Sequence, residues 1–347
     1  MNKDKEIILT GIRSNDEPTI GNYLGAIVPL VELAKQHAGE YQVNMFVPDL
    51  HSFTTPIDHD ALLKQTDRNL KLFIAAGLPI DHEDVYIYRQ SYIPAHSELS
   101  WILSCFTGFG EANRMVEFKD KSSQLGGDRV SVGLFNYPIL MAADILLYGA
   151  KWVPVGEDQR QHLELTRVLA QRLNNSFGNL FVVPEDVEAQ QKFIDRDSAP
   201  RVRSLRNPDK KMSKSISDPA GTILLSDNPE DAAKKVMAAT TDSIGIINFD
   251  WQKQPGISNL LQMLALLTNT PEDQIISTWQ NKSSYGDLKS AVATAVSDTL
   301  NKLQSNLAKV DESQLASKLT ASEAKMNEVA NSQLFKVQQA VGLRSKE

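Results

Sequence analysis

The chain reads as an α/β protein, a parallel sheet wrapped by helices and followed by an all-helical C-terminal part. Three observations predict this. Strand-like and helix-like runs alternate with short connections through the first half. After Gly221 the strand signals thin out and a 3.6-residue apolar period takes over. The length, 347 residues, exceeds one ordinary small core, so two domains are expected, 1–220 and 221–347.

The elements follow in order. Residues 6–11 are a buried strand, 22–36 a helix and 42–47 a second strand. A helix over 61–76 stops at Gly77 and Pro79. Residues 85–88 form a third strand and 95–105 a further helix. The stretch 108–127 is irregular and Gly-rich, and 135–148 is a strongly apolar helix. A short strand is expected at 151–155, a helix at 158–174, a polar segment of unassigned structure at 182–199 and a last strand at 201–205. In the second half, helices are expected at 229–239, 257–267, 271–279, 285–307 and 312–341, with Pro229 and Pro271 near first helical positions.

Composition narrows the function classes. Apolar runs such as 139–147, interrupted by Asp144, are far short of a membrane span. The start, MNKDKEIIL, is too polar for a signal peptide, so a cytoplasmic protein is expected. A single cysteine, Cys105, excludes an intrachain disulfide and a cysteine-based zinc cluster, and the six histidines show no ligand spacing. A net charge of −7 argues against diffuse nucleic-acid binding but leaves room for a local basic patch.

Two stretches concentrate chemistry. Pro18-Thr19-Ile20-Gly21-Asn22 joins the first strand to its helix, where parallel sheets bind ligands. Gly21 permits close backbone approach, while Thr19 and Asn22 either cap the helix or meet an anion. Lys210-Lys211-Met212-Ser213-Lys214-Ser215 lies among Arg201, Arg203 and Arg206, six basic side chains against Asp209 within 200–215. It is either a solvated basic loop or a movable clamp for a polyphosphate. A third feature is Asp144, which shares a helix face with Tyr137 and Met141 and sits among leucines and isoleucines. A carboxylate there needs a partner, whether an ordinary salt bridge or a ligand.

These residues carry a resemblance. Thr19-Ile20-Gly21-Asn22 is similar to the first signature of class I aminoacyl-tRNA synthetases, and Lys211-Met212-Ser213-Lys214-Ser215 to the second. The stretches 137–148, 153–167 and 255–261 resemble the tryptophanyl-tRNA synthetase family, and the likeness runs from residue 6 to about 340. It implies a Rossmann-type nucleotide-binding domain, with about 106–180 an inserted segment for substrate and dimer contacts, and a helical domain that reads a tRNA anticodon. The implied substrates are ATP with Mg²⁺, L-tryptophan and tRNA(Trp), and the implied assembly is a homodimer.

The resemblance also implies roles. Thr19, Asn22, Lys211 and Lys214 would meet the phosphates, with Gly21, Met212, Ser213 and Ser215 beside the nucleotide. Gly156, Glu157 and Asp158 would contact ribose, Val202 adenine through its backbone, and Lys119 a phosphate or Mg²⁺-bound group. Asp144 would accept the indole N–H, which makes chemical sense: indole offers one donor and no acceptor. Tyr137 and Gln159 would hold the α-amino group, Met141, Val153 and Val155 would line the indole slot, and His51 would lie near the substrate.

One departure stands out. Where bacterial relatives usually read Gln-Pro-Ser-Gly after the first strand, this chain has Arg13-Ser14-Asn15-Asp16, so altered ATP or inhibitor affinity is expected there. Leu9 stands where relatives often have Phe. Two other readings stay open: another enzyme of this fold, tyrosyl-type or a small nucleotidyltransferase, and a non-enzymatic paralogue that binds Trp or RNA.

Overall fold

A computed structural model describes residues 5–13, 17–116, 118–119, 130–156, 159–194, 200–213 and 218–346. Three parallel strands, β1 Ile7–Gly11, β2 Gln42–Val47 and β3 Val85–Arg89, form a sheet in the order β1-β2-β3. Ile7 pairs with Gln42 and Val43 with Val85, which sets the register. All six residues of β2 are buried, as befits a central strand covered on both faces. Inside it Gln42 Nε2 donates to Asn44 Oδ1 at 2.8 Å, while Asn44 Nδ2 stays buried without a hydrogen-bond partner among the described residues.

The expected helices are present with small shifts at their ends: His59–Ala75, Ala95–Cys105, Val132–Leu146 and Arg160–Phe177. The helix after β1 is composite. It runs through Ile20–Asn22, a turn of π-helix at Tyr23–Ile27, and Val28–His37. The unassigned polar stretch contains a short helix, Val187–Phe193, whose cap Asp186 accepts from Ala189 N–H at 2.9 Å.

Two expected strands differ. At 151–155 only Trp152 bridges in parallel to Ile8 on the outer side of β1, with Leu9 N–H donating to Trp152 O at 2.8 Å. Pro154 has no N–H to extend a ladder. The outward N–H of Val153 is satisfied by the Gln190 side chain at 2.8 Å, so no further strand is needed. The stretch at 201–205 does not join the sheet. It forms the first arm of a small hairpin, with Arg203 bridged in antiparallel fashion to Lys211 and Met212 N–H donating to Val202 O at 3.1 Å.

Beyond Gly221 the helices Pro229–Met237, Pro255–Thr268, Glu272–Trp279 and Tyr285–Ala308 share one core. Ile20, Leu24, Val202 and Met212 belong to that core as well, so the helices and both signature segments are packed together. The last helix, Glu312–Ala340, returns to the sheet and lies along the free edge of β3. There Glu323 takes a fork of two bonds from Arg89, at 2.7 and 2.9 Å, and accepts the Arg89 N–H at 3.3 Å. A strand edge that would otherwise present bare N–H groups is thereby covered.

This clasp generates a test. Glu323→Ala removes three acceptor contacts at once and leaves a half-buried guanidinium without its partner. The expected loss is about 2–3 kcal/mol of folding stability, read as a lower urea midpoint.

Candidate functional site

The first edge of the site is built at the end of β1. Thr19 caps the helix: its Oγ1 accepts from Asn22 N–H at 3.2 Å, and its own N–H donates to Asn22 Oδ1 at 2.9 Å. The hydroxyl also donates to Asn22 Oδ1 at 2.9 Å. Thr19 is buried and Asn22 exposed, so the part Thr19 plays at this edge runs through the orientation of Asn22. Among the described residues, Asn22 Nδ2 is the donor that this capping arrangement leaves over.

The second edge is spliced directly onto the first. Ile20 N–H donates to Ile223 O at 2.9 Å and Leu225 N–H to Pro18 O at 3.1 Å, with Thr19 bridged to Leu224. The segment that follows the basic loop is thus paired to the segment that opens the first helix. The hairpin sits against the same place. A methyl group on Gly21 would lie 3.3 Å from Val202 Cβ and 3.7 Å from Met212 Cβ, so glycine permits the approach. Met212 and Val202 are buried while Lys211 is exposed, which anchors the loop by its apolar side chain and leaves the cation outward.

The hairpin is held from behind by the stretch at 255–261. Asn259 accepts from Arg203 N–H at 2.9 Å and donates to Arg203 O at 3.0 Å. Asp218 closes the far end, accepting from Ser204 Oγ and from Gly221 N–H, both at 3.1 Å. Arg203 itself stacks over Trp251, with its guanidinium carbon 4.1 Å from the ring centre.

Asp144 lies beyond the carboxyl ends of β2 and β3, where a parallel sheet presents its ligands. It is 1% exposed. His51, in the turn Leu50–Thr54 after β2, places Nε2 2.9 Å from Asp144 Oδ2. Gln90, directly after β3, donates to Oδ1 at 2.7 Å, and His96 Nδ1 lies 2.6 Å from the same oxygen. A carboxylate only accepts, so both imidazoles donate to it. Leu50 N–H donates to Gln90 Oε1 at 3.1 Å, which turns the Gln90 amide nitrogen toward Asp144. Burial alone would raise the Asp144 pKa, but the His51 and His96 hydrogen bonds outweigh it, and the carboxyl lies below its usual range. Burial, then the charge of Asp144, holds the Tyr148 hydroxyl well above its ordinary value.

A second buried chain lies on the neighbouring helix. Gln159 Oε1 accepts from His162 Nδ1 at 2.8 Å, and His162 Nε2 lies 2.9 Å from the Tyr137 hydroxyl. Val153 is buried, while Met141 and Val155 pack half-buried against the same core. Gly156 O accepts from Gln159 N–H at 2.9 Å, at the turn into the Arg160–Phe177 helix. Lys119 is exposed, next to Phe118, which meets Phe135 edge to face. Arg13 is exposed, its carbonyl accepting from Asn69 at 3.1 Å, while Glu17 is paired with Arg68 at 2.7 Å. Ser14, Asn15, Glu157, Asp158, Lys214 and Ser215 lie outside the described residues.

The structure therefore groups many of the expected residues into three sets. Thr19, Gly21, Asn22, Val202, Lys211, Met212 and Ser213 gather at one edge, where Thr222 Oγ1 also donates to Ser213 O at 3.4 Å. His51 and Asp144 form a buried cluster, and Tyr137 and Gln159 are joined through His162. Sequence reasoning passed over Gln90, His96, Tyr148, His162 and Asn259. Tyr148 stands four residues after Asp144, a spacing that places it on the same helix face. His162 stands three residues after Gln159, its hydrogen-bond partner, while Gln90, His96 and Asn259 carry no local signal.

Residues 1–301 match the family model described as tRNA synthetases class I (W and Y). The chain belongs to that family. The tryptophan–tRNA ligase of Corynebacterium glutamicum is 43% identical over 338 residues, covering 96% of this chain and 94% of the relative. That of Caldanaerobacter subterraneus is 43% identical over 336 residues, covering 97% and 98%. The crystal structure of tryptophanyl-tRNA synthetase from Mycoplasma pneumoniae superposes with a TM-score of 0.82 at 33% identity, over 98% of this chain and 99% of the other. A second, from Campylobacter jejuni, complexed with ADP and tryptophan, gives 0.76 at 27% identity over 97% and 99%. The three-stranded parallel sheet with its covering helices is the Rossmann-type core of this class I family.

The lowered pKa of Asp144 has a measurable consequence. Its folded pKa lies below the unfolded value of about 3.9, so the stability it contributes is present above that pH and is lost as pH falls through and below it. Asp144→Asn is expected to be less stable than the parent at neutral pH. The gap should shrink below about pH 4, as urea unfolding across the acid range would show.

Proposed function

We propose that this chain ligates tryptophan to tRNA, and that the buried Asp144 cluster carries its specificity. The chain is an aminoacyl-tRNA ligase that uses ATP. In the first step the tryptophan carboxylate oxygen attacks the α-phosphorus of ATP, the bond to the β-phosphate breaks, and pyrophosphate leaves tryptophanyl-adenylate behind. In the second, a terminal ribose hydroxyl of tRNA(Trp) attacks the acyl carbon and AMP departs. No protein nucleophile takes part, so catalysis is positioning and charge stabilisation.

The observation that carries this reading is the close approach of Gly21 to Val202 and Met212, which brings the two signature segments together. Asn22 would meet the phosphates from the first helix, with Lys211 and Lys214 following the departing pyrophosphate from the loop. The nearby donors are lysines, an amide and hydroxyls, a set suited to phosphate oxygens rather than to a bare dication. Mg²⁺ would therefore enter on the ATP triphosphate, where it offsets phosphate charge. Among the described residues no three His, Cys, Asp or Glu side chains gather as a metal site.

Asp144 would accept the indole N–H. A phenyl ring in its place would leave a buried acceptor unpaired, a cost of about 1–3 kcal/mol. Tyr137 and Gln159 would hold the α-amino group, with Met141, Val153 and Val155 along the indole and His51 beside it. Gly156, Glu157 and Asp158 would face ribose, Val202 adenine, and Lys119 the phosphates. Arg13, Ser14, Asn15 and Ser215 would complete the nucleotide contacts, and Arg13 would shift ATP affinity. The working form would be a cytoplasmic homodimer whose helical part, from about residue 221, reads the anticodon. Among the described residues no helix is long and apolar enough to cross a membrane.

ATP–pyrophosphate exchange with each amino acid in turn tests the assignment. Exchange should require tryptophan; exchange without it, or with tyrosine instead, would overturn it. Lys214→Ala should slow adenylate formation by the equivalent of about 3 kcal/mol while leaving tryptophan binding nearly unchanged. Equal losses in both, by single-turnover kinetics and calorimetry, would count against a phosphate clamp. Arg13→Gln should change the KM for ATP, and an unchanged KM would remove Arg13 from the nucleotide contacts.

A further inference from the structure

An ionised carboxylate offers roughly four acceptor directions. In Asp144, Gln90 and His96 fill both on Oδ1, and His51 takes one on Oδ2. One direction is left, on Oδ2. His96 is wholly buried and held at both ends, with Nδ1 on Asp144 and Nε2 2.8 Å from the Tyr148 hydroxyl. The carboxylate requires a proton on Nδ1, so in the neutral ring Nε2 accepts from Tyr148 O–H. The Tyr148 hydroxyl thus selects the tautomer that keeps His96 a donor to Asp144.

We propose that His96 is a positioning residue for amino-acid selection: it keeps Asp144 an acceptor with one open direction, so that only a ring carrying an N–H completes the cluster. This deepens the tryptophan reading above and rests on it. The titratable groups facing Asp144 among the described residues are His51 from the turn after β2, His96 from the Ala95–Cys105 helix, Tyr148 from its own helix and Tyr88 from β3. None of them supplies a fixed positive charge. Hydrogen bonds from the His51 and His96 N–H groups oppose burial, the one from His51 contributing more to the lowered pKa and the one from His96 being shorter, and Gln90 adds a third donor.

Removing His96 has a signed consequence. His51 and Gln90 still donate, but one of the two imidazole bonds that oppose burial is gone, so the Asp144 pKa rises from its value in the parent. At lower pH the protonated carboxyl becomes a donor, loses tryptophan, and accommodates a ring with an acceptor in place of N–H.

The test is tryptophan-dependent ATP–pyrophosphate exchange from about pH 6 to pH 8.5, bracketing the range into which a buried carboxyl titrates. Two variants are compared with the unsubstituted chain. His96→Leu removes the donor; His96→Asn keeps an amide N–H where Nδ1 stood. In His96→Leu the KM for tryptophan should rise about tenfold or more at the acid end and recover as pH rises, with kcat little changed. Competition by the tryptophan analogue whose ring N–H is replaced by oxygen should strengthen at the acid end in this variant alone. His96→Asn should restore the flat KM profile of the parent.

Equal damage in both variants, or an unmoved profile in His96→Leu, would overturn the assignment and leave His96 a packing residue. If His96→Leu does not fold, Tyr148→Phe, which frees Nε2 only, must show the same acid-side rise in KM at smaller size, and a flat profile there overturns the assignment equally. No tryptophan-dependent exchange by the unsubstituted chain would sink the functional reading and this inference with it; exchange with flat profiles in the variants sinks the inference alone.

Discussion

The architecture depends on a backbone splice. Residues 18–20 pair with residues 223–225 through two short hydrogen bonds, and this fixes where the basic hairpin can lie. With those strands tied, Met212 and Val202 have one place to bury their side chains, against Gly21 and Ile20. The same apolar contacts recruit the helices that follow, because Ile257, Leu260 and Leu261 complete that core. The described part of the basic loop is therefore anchored on an apolar base. Adjacent residues there have opposite preferences: Lys211 is solvated and Met212 dry.

The buried carboxylate poses the opposite problem. An isolated ionised Asp in an apolar helix would cost several kcal/mol or would simply take up a proton. The fold answers with donors drawn from three separate elements: the turn after β2, the end of β3, and the next helix. None of the three is close to Asp144 in sequence. Each is a neutral or titratable donor rather than a fixed cation, so the cluster satisfies the charge without capturing it in a salt bridge. That distinction leaves an acceptor open for chemistry, where an arginine fork would have closed it.

A third design feature is coverage. The last helix lies on the free edge of β3 and supplies Glu323 to Arg89. On the other side Gln190 stands in for a missing strand beside Val153. Side chains close both margins of a sheet that is only three strands wide, which holds the turns carrying His51 and Gln90 in register with Asp144.

Much of this was legible in the chain itself. The strands at Ile7–Gly11, Gln42–Val47 and Val85–Arg89 and most helices announce themselves through period and stop signals, because those signals are local. Asp144 stood out because a charge amid leucines is costly wherever it is put. Thr19 as a cap was equally legible, since capping is settled within four residues. The strands at 151–155 and 201–205 misled, because an apolar run can be satisfied by a side-chain amide or by a hairpin as well as by a sheet. Gln90, His96 and Asn259 were invisible, since nothing in their neighbours marks a polar residue whose partner arrives from a distant element; His162 pairs with Gln159 three residues earlier but reaches Tyr137 only through the fold. By itself the sequence determined most of the strands and helices and which residue types can meet phosphate or an indole N–H. The tertiary structure alone decided which donors surround Asp144 and that Gly21 faces Met212, because hydrogen-bond partners and close packing between distant segments are set by how the chain crosses, not by what stands beside each residue.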